Sequence, residues 1–235
     1  MSDGGPTLAF TGVVKDYRGL RPLRIAALEI AARERVALGG VDAAGAEALV
    51  NLITGAALPD QGSIVVLGQD TATIADGDAW LASLDRFGIV SERAVMLESA
   101  TFLQNLSLPL SLEIEAIPAD AKRRAEALAA ETGLPSDRLP LRVEEGSADD
   151  RARAQVARAM ALDPAILLLE HPSAKIGRAG VAAFARDLAV LVTRRGITAL
   201  AITEDETFAK PFATRWLKVQ PATGEVTAAK RRWFT

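Results

Sequence analysis

The sequence predicts an α/β fold: a mostly parallel sheet with a small antiparallel β subdomain and an inserted helical subdomain. Short apolar runs alternate along the chain with segments of helical periodicity, which is typical of a parallel sheet. The run Ala165–Leu169 is apolar throughout, as expected for a strand buried on both faces. We expect one domain over residues 1–235, with an α/β core at 7–90 and 164–220, a mainly helical subdomain at 91–163 and a tail at 221–235.

Each predicted element follows from a local pattern. Apolar and β-branched runs predict strands, whereas apolar residues at helical spacing, bounded by Gly and Pro, predict helices. The predicted strands are 7–14, 24–30, 35–39, 63–67, 87–90, 165–169, 197–203 and 215–219. The predicted helices are 43–54, 78–84, 101–112, 119–131, 148–162, 178–194 and 204–212.

Composition limits the classes of function. The chain has 235 residues, 49% of them apolar, and a net charge of −3, which allows a sizeable core and does not indicate nucleic-acid binding. It has no cysteine and a single histidine, His171, which excludes disulfides and multi-histidine metal sites. No apolar run approaches the ~18 residues that span a bilayer, and the N-terminus does not resemble a signal peptide. We expect a cytoplasmic protein that reaches the inner face of the plasma membrane, if at all, through a partner.

The most informative segment lies between the predicted strand 35–39 and the helix that follows. Strand, glycine-bearing loop and helix form the framework of a phosphate-binding P-loop, G-x-x-x-x-G-K-[ST]. Its lysine position holds Ala46, and the Ser/Thr position that binds Mg²⁺ holds Glu47. The framework of a nucleotide site is present while its ligating side chains are replaced. The candidate nucleotide-binding residues are Gly40, Asp42, Gly45, Ala46, Glu47 and Ala48.

Three further segments share their order and spacing with a known family. Leu58–Ile64 contains a turn and strand, Asn105–Leu110 contains a helix start, and Ala157–Leu169 joins a helix to a buried strand. With the loop, they resemble the ATP-binding cassette of ABC transporters over nearly the whole chain. The resemblance implies a P-loop NTPase (RecA-like) core and, as partners, another cassette in a homodimer or heterodimer and a transmembrane subunit.

The resemblance also assigns the family's catalytic positions, and these are replaced. The Q-loop glutamine falls at Glu92, the Walker B aspartate at Glu170, the catalytic glutamate at His171 and the switch histidine at Glu204. The D-loop aspartate falls near Gly177. The family's Leu-Ser-Gly-Gly-Gln signature falls at Gly146, Ser147, Ala148, Asp149 and Asp150.

Several of these residues have two interpretations. Asp42, as a helix N-cap, and Glu47, as an acid in the first helical turn, are either internal replacements for phosphate or ordinary surface acids. Tyr17 is either a platform for a nucleobase or an aromatic at a strand end. His171 is either a general base or a tolerated residue at a strand end. Ser147 followed by Asp150 resembles a capping box, which would keep the helix start while blocking a phosphate contact.

Two further segments, one apolar and one basic, have two interpretations each. Each segment either binds a partner or has only a structural role. The resemblance places the groove for a transmembrane subunit's coupling helix at Met96, Leu97, Phe102 and Leu103; the alternative is ordinary core packing. The C-terminal segment 230–234, Lys-Arg-Arg-Trp-Phe, is either a solvated or locally packed tail or a contact with anionic lipid headgroups or a membrane-bound partner.

We therefore interpret the chain as a degenerate cassette, a pseudo-ATPase that acts as a structural or regulatory partner in a membrane transport complex. We expect no metal and no cofactor, although residual binding of ATP and Mg²⁺ stays open. Two alternatives remain: a divergent ATP-hydrolysing subunit that contributes half of a composite site, and a soluble protein-interaction scaffold.

Overall fold

The computed structural model describes residues 5–74 and 76–229. The expectations for the N-terminal Met1–Gly4 and for the basic segment 230–234 lie outside these residues. The strands are β1 (Leu8–Lys15), β2 (Leu23–Ile30), β3 (Arg35–Gly39), β4 (Gln61–Val66), β5 (Gln69–Asp70), β6 (Phe87–Val90), β7 (Ile166–Glu170), β8 (Thr198–Ile202), β9 (Arg215–Val219) and β10 (Val226–Ala228). The helices are α1 (Ala43–Ile53), α2 (Gly77–Leu84), α3 (Phe102–Ser107), α4 (Ala119–Thr132), α5 (Ala148–Ala159), α6 (Arg178–Arg195) and α7 (Glu206–Phe212).

The described residues form two sheets. The larger has the strand order β10-β9-β3-β8-β7-β6, in which every pair is parallel except β9 with β10. The smaller has the order β2-β1-β4-β5 and is antiparallel throughout. Helices α3, α4 and α5 all lie between β6 and β7 in the chain. The predicted α/β class, with its antiparallel part and helical insertion, is confirmed.

Four elements differ most from the sequence prediction, and one of them is the unpredicted two-residue strand β5. Helix α3 ends at Ser107 rather than at residue 112, since Pro109 has no N–H to continue the helical ladder. Helix α5 ends at Ala159 rather than at 162, shortly before the backbone turns at Asp163 with a φ of 52°. The edge strand β10 was not predicted, because a run of three residues carries little periodicity.

Strand β7 lies at the centre of the core. Its residues are all buried, and successive side chains enter two different hydrophobic clusters. Leu167 and Leu169 pack with residues of α5, α6 and α7, whereas Ile166 and Leu168 pack with residues of α1 and the antiparallel sheet. The prediction of a strand buried on both faces is confirmed. Among the helices of the described ranges, none combines the length and apolar character that a bilayer crossing requires.

The first glycine of the P-loop pattern is required by the packing of the sheet. Gly40 follows β3 with a φ of 85°, in the left-handed region that favours glycine. A Cβ atom there would lie 2.1 Å from the carbonyl oxygen of Val219, at the end of the neighbouring strand β9. This glycine therefore has a structural cause that does not involve phosphate.

We predict that Gly40→Ala destabilises the protein by roughly 2–4 kcal/mol, because it adds a backbone collision to backbone strain. Gly68→Ala is the matched control: its φ is also positive, at 83°, but nothing lies within 4 Å of the added Cβ. It should cost only about 1–2 kcal/mol. Urea unfolding of both variants measures the difference, and equal losses would contradict a packing role for Gly40.

Candidate functional site

The candidate site lies at the carboxyl edge of the parallel sheet. Strands β3, β6, β7 and β8 run in the same direction, so the segments that follow them meet at one edge. The segment after β3 is Gly40–Asp42, and the segment after β6 begins at Ser91. Glu170 is the last residue of β7, and Glu204 follows β8 closely. Ligands commonly bind at this edge in α/β proteins.

The loop that should surround phosphate is short, and the amide groups of Gly45 and Ala46 after it are already bonded. Helix α1 begins at Ala43, with Asp42 as its N-cap, as the sequence predicted. The N–H of Gly45 donates to Asp42 Oδ1 at 2.7 Å, and the N–H of Ala46 donates to the Asp42 carbonyl at 2.8 Å. A P-loop binds phosphate through such free N–H groups, and here the Asp42 side chain and the first helical turn use them.

A second carboxylate binds the start of the same loop. The N–H of Gly40 donates to Oε1 of Glu204. The other oxygen of Glu204 lies 3.1 Å from Nζ of Lys218, on strand β9. The family's switch position thus holds an internal anion that contacts the first loop glycine, with a lysine beside it to balance its charge.

The strongest feature of the site is an arginine between two acids. Nη1 of Arg93 lies 2.8 Å from Oε1 of Glu47, on helix α1. Nη2 of the same guanidinium bonds Oε1 of Glu170, at the end of β7. The sequence resemblance assigns the two positions expected to bind Mg²⁺ to Glu47 and Glu170. Arg93, a cation of this chain, lies between these two residues.

One sequence expectation is corrected here, and one residue of the site was missed by sequence reasoning. Glu47 is the fifth residue of α1, not a member of its first turn, so it pairs with Arg93 rather than with free helix N–H groups. The missed residue is Arg93, whereas its neighbour Glu92 was named as the Q-loop position. Glu92 lies 3.6 Å from Lys175 instead. The sequence holds one indication of Arg93. Two acids at the positions expected to bind a metal ion need a positive charge nearby, and Arg93 directly follows the Q-loop position Glu92 in the sequence.

Glu170 is the most deeply buried of the three charged residues in this contact. Its side chain is 9% exposed, whereas those of Arg93 and Glu47 are 42% and 48% exposed. Burial raises the pKa of Glu170, and the Arg93 guanidinium opposes that rise only in part. Keeping the Glu170 carboxylate ionised therefore has a desolvation cost, and the contact with Arg93 reduces that cost.

His171 follows Glu170 in a left-handed conformation, with a φ of 45°. Its N–H donates to the Ile202 carbonyl at 2.9 Å, while its buried Nε2 has no hydrogen-bond partner among the described residues. It lines a cavity of about 240 Å³ between the sheet edge and α5. Within residues 5–74 and 76–229, no group of three or more His, Asp or Glu side chains is arranged to hold a metal ion.

Tyr17 lies over the loop rather than away from it. Its hydroxyl lies 3.3 Å from Oδ1 of Asp42, to which it donates. Burial raises the pKa of Tyr17, and the Asp42 carboxylate raises it further. A cavity of about 320 Å³ adjoins the ring and is lined also by Arg21, Arg24 and Val219. Both sequence interpretations of Tyr17 remain, since its ring faces a cavity and its hydroxyl supports the N-cap.

The signature-equivalent residues form a helix cap. The hydroxyl of Ser147 accepts from the N–H of Asp150 at 3.1 Å, and Asp150 Oδ2 accepts from the N–H of Ser147 at 2.9 Å. The predicted capping box is confirmed. Asp149 pairs with Arg153 at 2.7 Å, and Ala148 lines the smaller cavity.

The expected partner groove is mostly core. Phe102 is fully buried and Met96 is 6% exposed, and both belong to the cluster that contains α5 and α6. Leu103 packs partly buried against that cluster. Of the four residues, only Leu97 is exposed, at 46%. The structure corrects the groove assignment for Met96 and Phe102, which are too deeply buried to form a docking surface.

The chain belongs to the ABC transporter family, whose model matches residues 23–174. An Fe(3+) ions import ATP-binding protein, FbpC, of Serratia marcescens is 28% identical over 88% of this chain and 58% of its own length. The phosphonates import ATP-binding protein PhnC of Anaeromyxobacter dehalogenans is 32% identical over 81% of this chain and 38% of its own length. The lipoprotein-releasing system ATP-binding protein LolD of Pseudomonas syringae is 32% identical over 63% and 65% of the two chains. This chain thus spans 38% to 65% of the length of these relatives.

Solved structures with the same fold include ABC cassettes. A dimeric bacterial ABC transporter cassette aligns with a TM-score of 0.77 and 22% identity, covering 97% of this chain and 100% of that chain. The cassette cbiO1 of Clostridium perfringens, part of the cbiONQ transporter complex, aligns with a TM-score of 0.79 and 20% identity, covering 94% and 87%. These likenesses establish the ABC ATPase fold.

We predict that Glu170→Gln makes the protein more stable at neutral pH. A carboxyl with a raised native pKa binds its proton more tightly in the folded than in the unfolded chain, so the wild type loses stability as pH rises through the native pKa. Glutamine removes that loss and still accepts a hydrogen bond from Arg93. Thermal unfolding between about pH 3.5 and 8 should show an advantage that vanishes below the ordinary glutamate pKa of about 4.3.

Glu47→Gln is the matched control, because it removes the exposed partner of the same arginine. It should change stability by less than about 1 kcal/mol over this pH range. A Glu170→Gln variant that is less stable than the wild type at neutral pH would mean that the attraction to Arg93 exceeds the desolvation cost.

Proposed function

We propose that this chain is a cassette subunit of a membrane transport complex whose internal charges replace Mg²⁺ and phosphate, so that it does not hydrolyse ATP. The observation that carries the proposal is the contact of Arg93 with both Glu47 and Glu170. A guanidinium in this place offsets one of the two negative charges that face it and occupies the space between the two acids where a metal ion would otherwise bind. The subunit would then contribute structure and contacts to a complex rather than chemistry.

Electrostatics support the proposal. Two carboxylates and one guanidinium leave a formal charge of −1 where a nucleotide would bring several negative charges. Like charges about 4 Å apart cost on the order of 4 kcal/mol at an effective dielectric constant of about 20. Ala46 supplies no cation to offset this cost, and each ~1.4 kcal/mol weakens binding tenfold. A micromolar affinity would thus move beyond the millimolar range.

Hydrogen bonding supports it as well. For phosphate to bind, the amides of Gly40 and Gly45 would have to leave the carboxylates of Glu204 and Asp42. Hydrogen bonds to charged groups are worth about 1.5–3 kcal/mol each, so a nucleotide would have to replace two of them before gaining anything. Two carboxylates of the chain, those of Glu204 and Asp42, therefore compete with phosphate for these two amides.

Membership of the family supports a place in a transport complex. The relatives are named as ATP-binding proteins of iron import, phosphonate import and lipoprotein release. By analogy, we propose a second cassette and a transmembrane subunit as partners, and a location at the inner face of the membrane through them. The substrate class does not follow from these different names.

The two alternatives predict different behaviour. A half-site ATPase would need either a P-loop or a signature that contacts phosphate, and here Asp42 and the Ser147–Asp150 capping box use the corresponding amides. A scaffold without a transporter would not purify with a membrane protein. Affinity purification from solubilised membranes therefore separates the proposal from the scaffold alternative.

We predict that isothermal titration of the purified protein with Mg-ATP gives no binding heat up to about 1 mM, because charge and hydrogen bonding both oppose the nucleotide. The cavity beside Tyr17 is tested separately by titrating adenosine, which has no phosphate. Micromolar binding of Mg-ATP would contradict the proposal.

A gain of binding gives the positive control. The variant Ala46→Lys, Glu47→Ser, Arg93→Gln, Glu204→His restores the lysine and hydroxyl and removes three internal charges, those of Glu47, Arg93 and Glu204. It should bind Mg-ATP at least about tenfold more tightly than Ala46→Lys alone. If Ala46→Lys alone binds equally well, the missing lysine, and not the internal charges, excludes the nucleotide.

A further inference from the structure

Arg93 lies on a segment that is held from two sides. The segment Ser91–Ala100 leaves β6 and runs to α3, so it joins the parallel sheet to the helical insertion. Its backbone is bonded almost entirely to the helical insertion. The side chain of Arg93 reaches in the other direction, to α1 and β7 of the sheet.

The helical side of this attachment has several bonds. The guanidinium of Arg158, on α5, donates to the carbonyl of Ala94 and to that of Val95, the latter at 2.8 Å. Asn105, on α3, accepts from the N–H of Leu97 at 2.8 Å and donates to its carbonyl at 3.0 Å. These bonds fix residues 94–97 to α3 and α5 as one unit.

The cavity of about 240 Å³ lies in the cleft between this unit and the sheet. Glu98 of the segment, Gln155 of α5 and His171 after β7 all line it. At the other end of the insertion, Arg153 of α5 contacts Asp187 of α6 at 2.9 Å, and Arg195 of α6 contacts Glu131 of α4 at 2.8 Å. The insertion is therefore held by the hydrophobic core that it shares with β7 and by α6 on one side of the cleft, and through Arg93 on the other.

The geometry points to Arg93 as a latch that fixes the helical insertion against the sheet without any nucleotide. Opening the latch would leave the insertion attached at α6 and widen the cleft. The chain would thus be set permanently in one arrangement for a partner to bind. The inference deepens the proposed function and rests on it in one respect, namely that Mg-ATP does not displace Arg93.

The test measures the distance between the two units. The sequence has no cysteine, so cysteines introduced at the exposed positions Ala127, on α4, and Thr11, on β1, are the only spin-labelling sites. Double electron–electron resonance then gives the distance distribution. We expect one narrow population in the otherwise wild-type protein, unchanged by 1 mM Mg-ATP, and a broader or second population after Arg93→Met.

Lys210→Met is the matched control. It removes an exposed cation that is paired with Glu206 at 2.9 Å, and this pair lies within α7, so it does not join the insertion to the sheet. Its distribution should match that of the wild type. An Arg93→Met distribution identical to the wild type, with native circular dichroism, would overturn the latch. If Arg93→Met does not fold, the double variant Glu47→Ala, Glu170→Leu replaces it, with the same two outcomes, because it leaves the guanidinium of Arg93 without either acceptor.

The calorimetric titration keeps the two proposals apart. If Mg-ATP binds but Arg93→Met still broadens the distribution without nucleotide, the proposed function fails and the latch stands. If Mg-ATP does not bind and Arg93→Met leaves the distribution unchanged, the latch fails and the proposed function stands.

Discussion

The contact of Arg93 with Glu47 and Glu170 is the interaction on which the site depends. Without the guanidinium, two carboxylates would face each other, one of them 9% exposed at the end of the buried strand β7. A charge buried there needs a partner, since the desolvation cost is several kcal/mol. In an active P-loop protein a metal ion has that role. Here a cation of the chain itself, Arg93, contacts both acids, and the proposed function is that the site needs no ligand.

The same principle extends to the loop. Glu204 and Asp42 accept hydrogen bonds from amides that would otherwise contact phosphate, and Lys218 balances one of the carboxylates. Sheet packing requires Gly40 whether or not phosphate binds. Under the proposed function, a P-loop pattern keeps a glycine for packing while its nucleotide chemistry is replaced. Packing therefore explains why the glycine is kept at a position where the neighbouring lysine and hydroxyl residues of the pattern are replaced.

Much of the fold could be predicted from the sequence. The buried strand β7, the N-cap Asp42 and the capping box at Ser147 follow from local patterns, because hydrophobic periodicity and capping act over a few residues. The helix ends and the short strand β10 could not be predicted as well, since these depend on weak or non-local signals. The order of segments was sufficient for the family.

The chemistry of the site was predicted less completely. Glu47 and Glu170 were singled out, but their partner Arg93 is 46 residues from one and 77 from the other. Such a pair depends on tertiary structure and has no sequence spacing of its own. Conversely, the family resemblance placed a partner groove at Phe102 and Met96, and the alternative of core packing agrees with their burial, which is typical of apolar residues.

The most direct test of the account is a crystal structure of the protein grown with millimolar Mg²⁺ and a non-hydrolysable ATP analogue. The account predicts electron density for Arg93 between Glu47 and Glu170, with the Glu204 carboxylate on the amide of Gly40 and no nucleotide at the loop. A nucleotide bound there, with Mg²⁺ near Glu170 and Arg93 displaced, would contradict it.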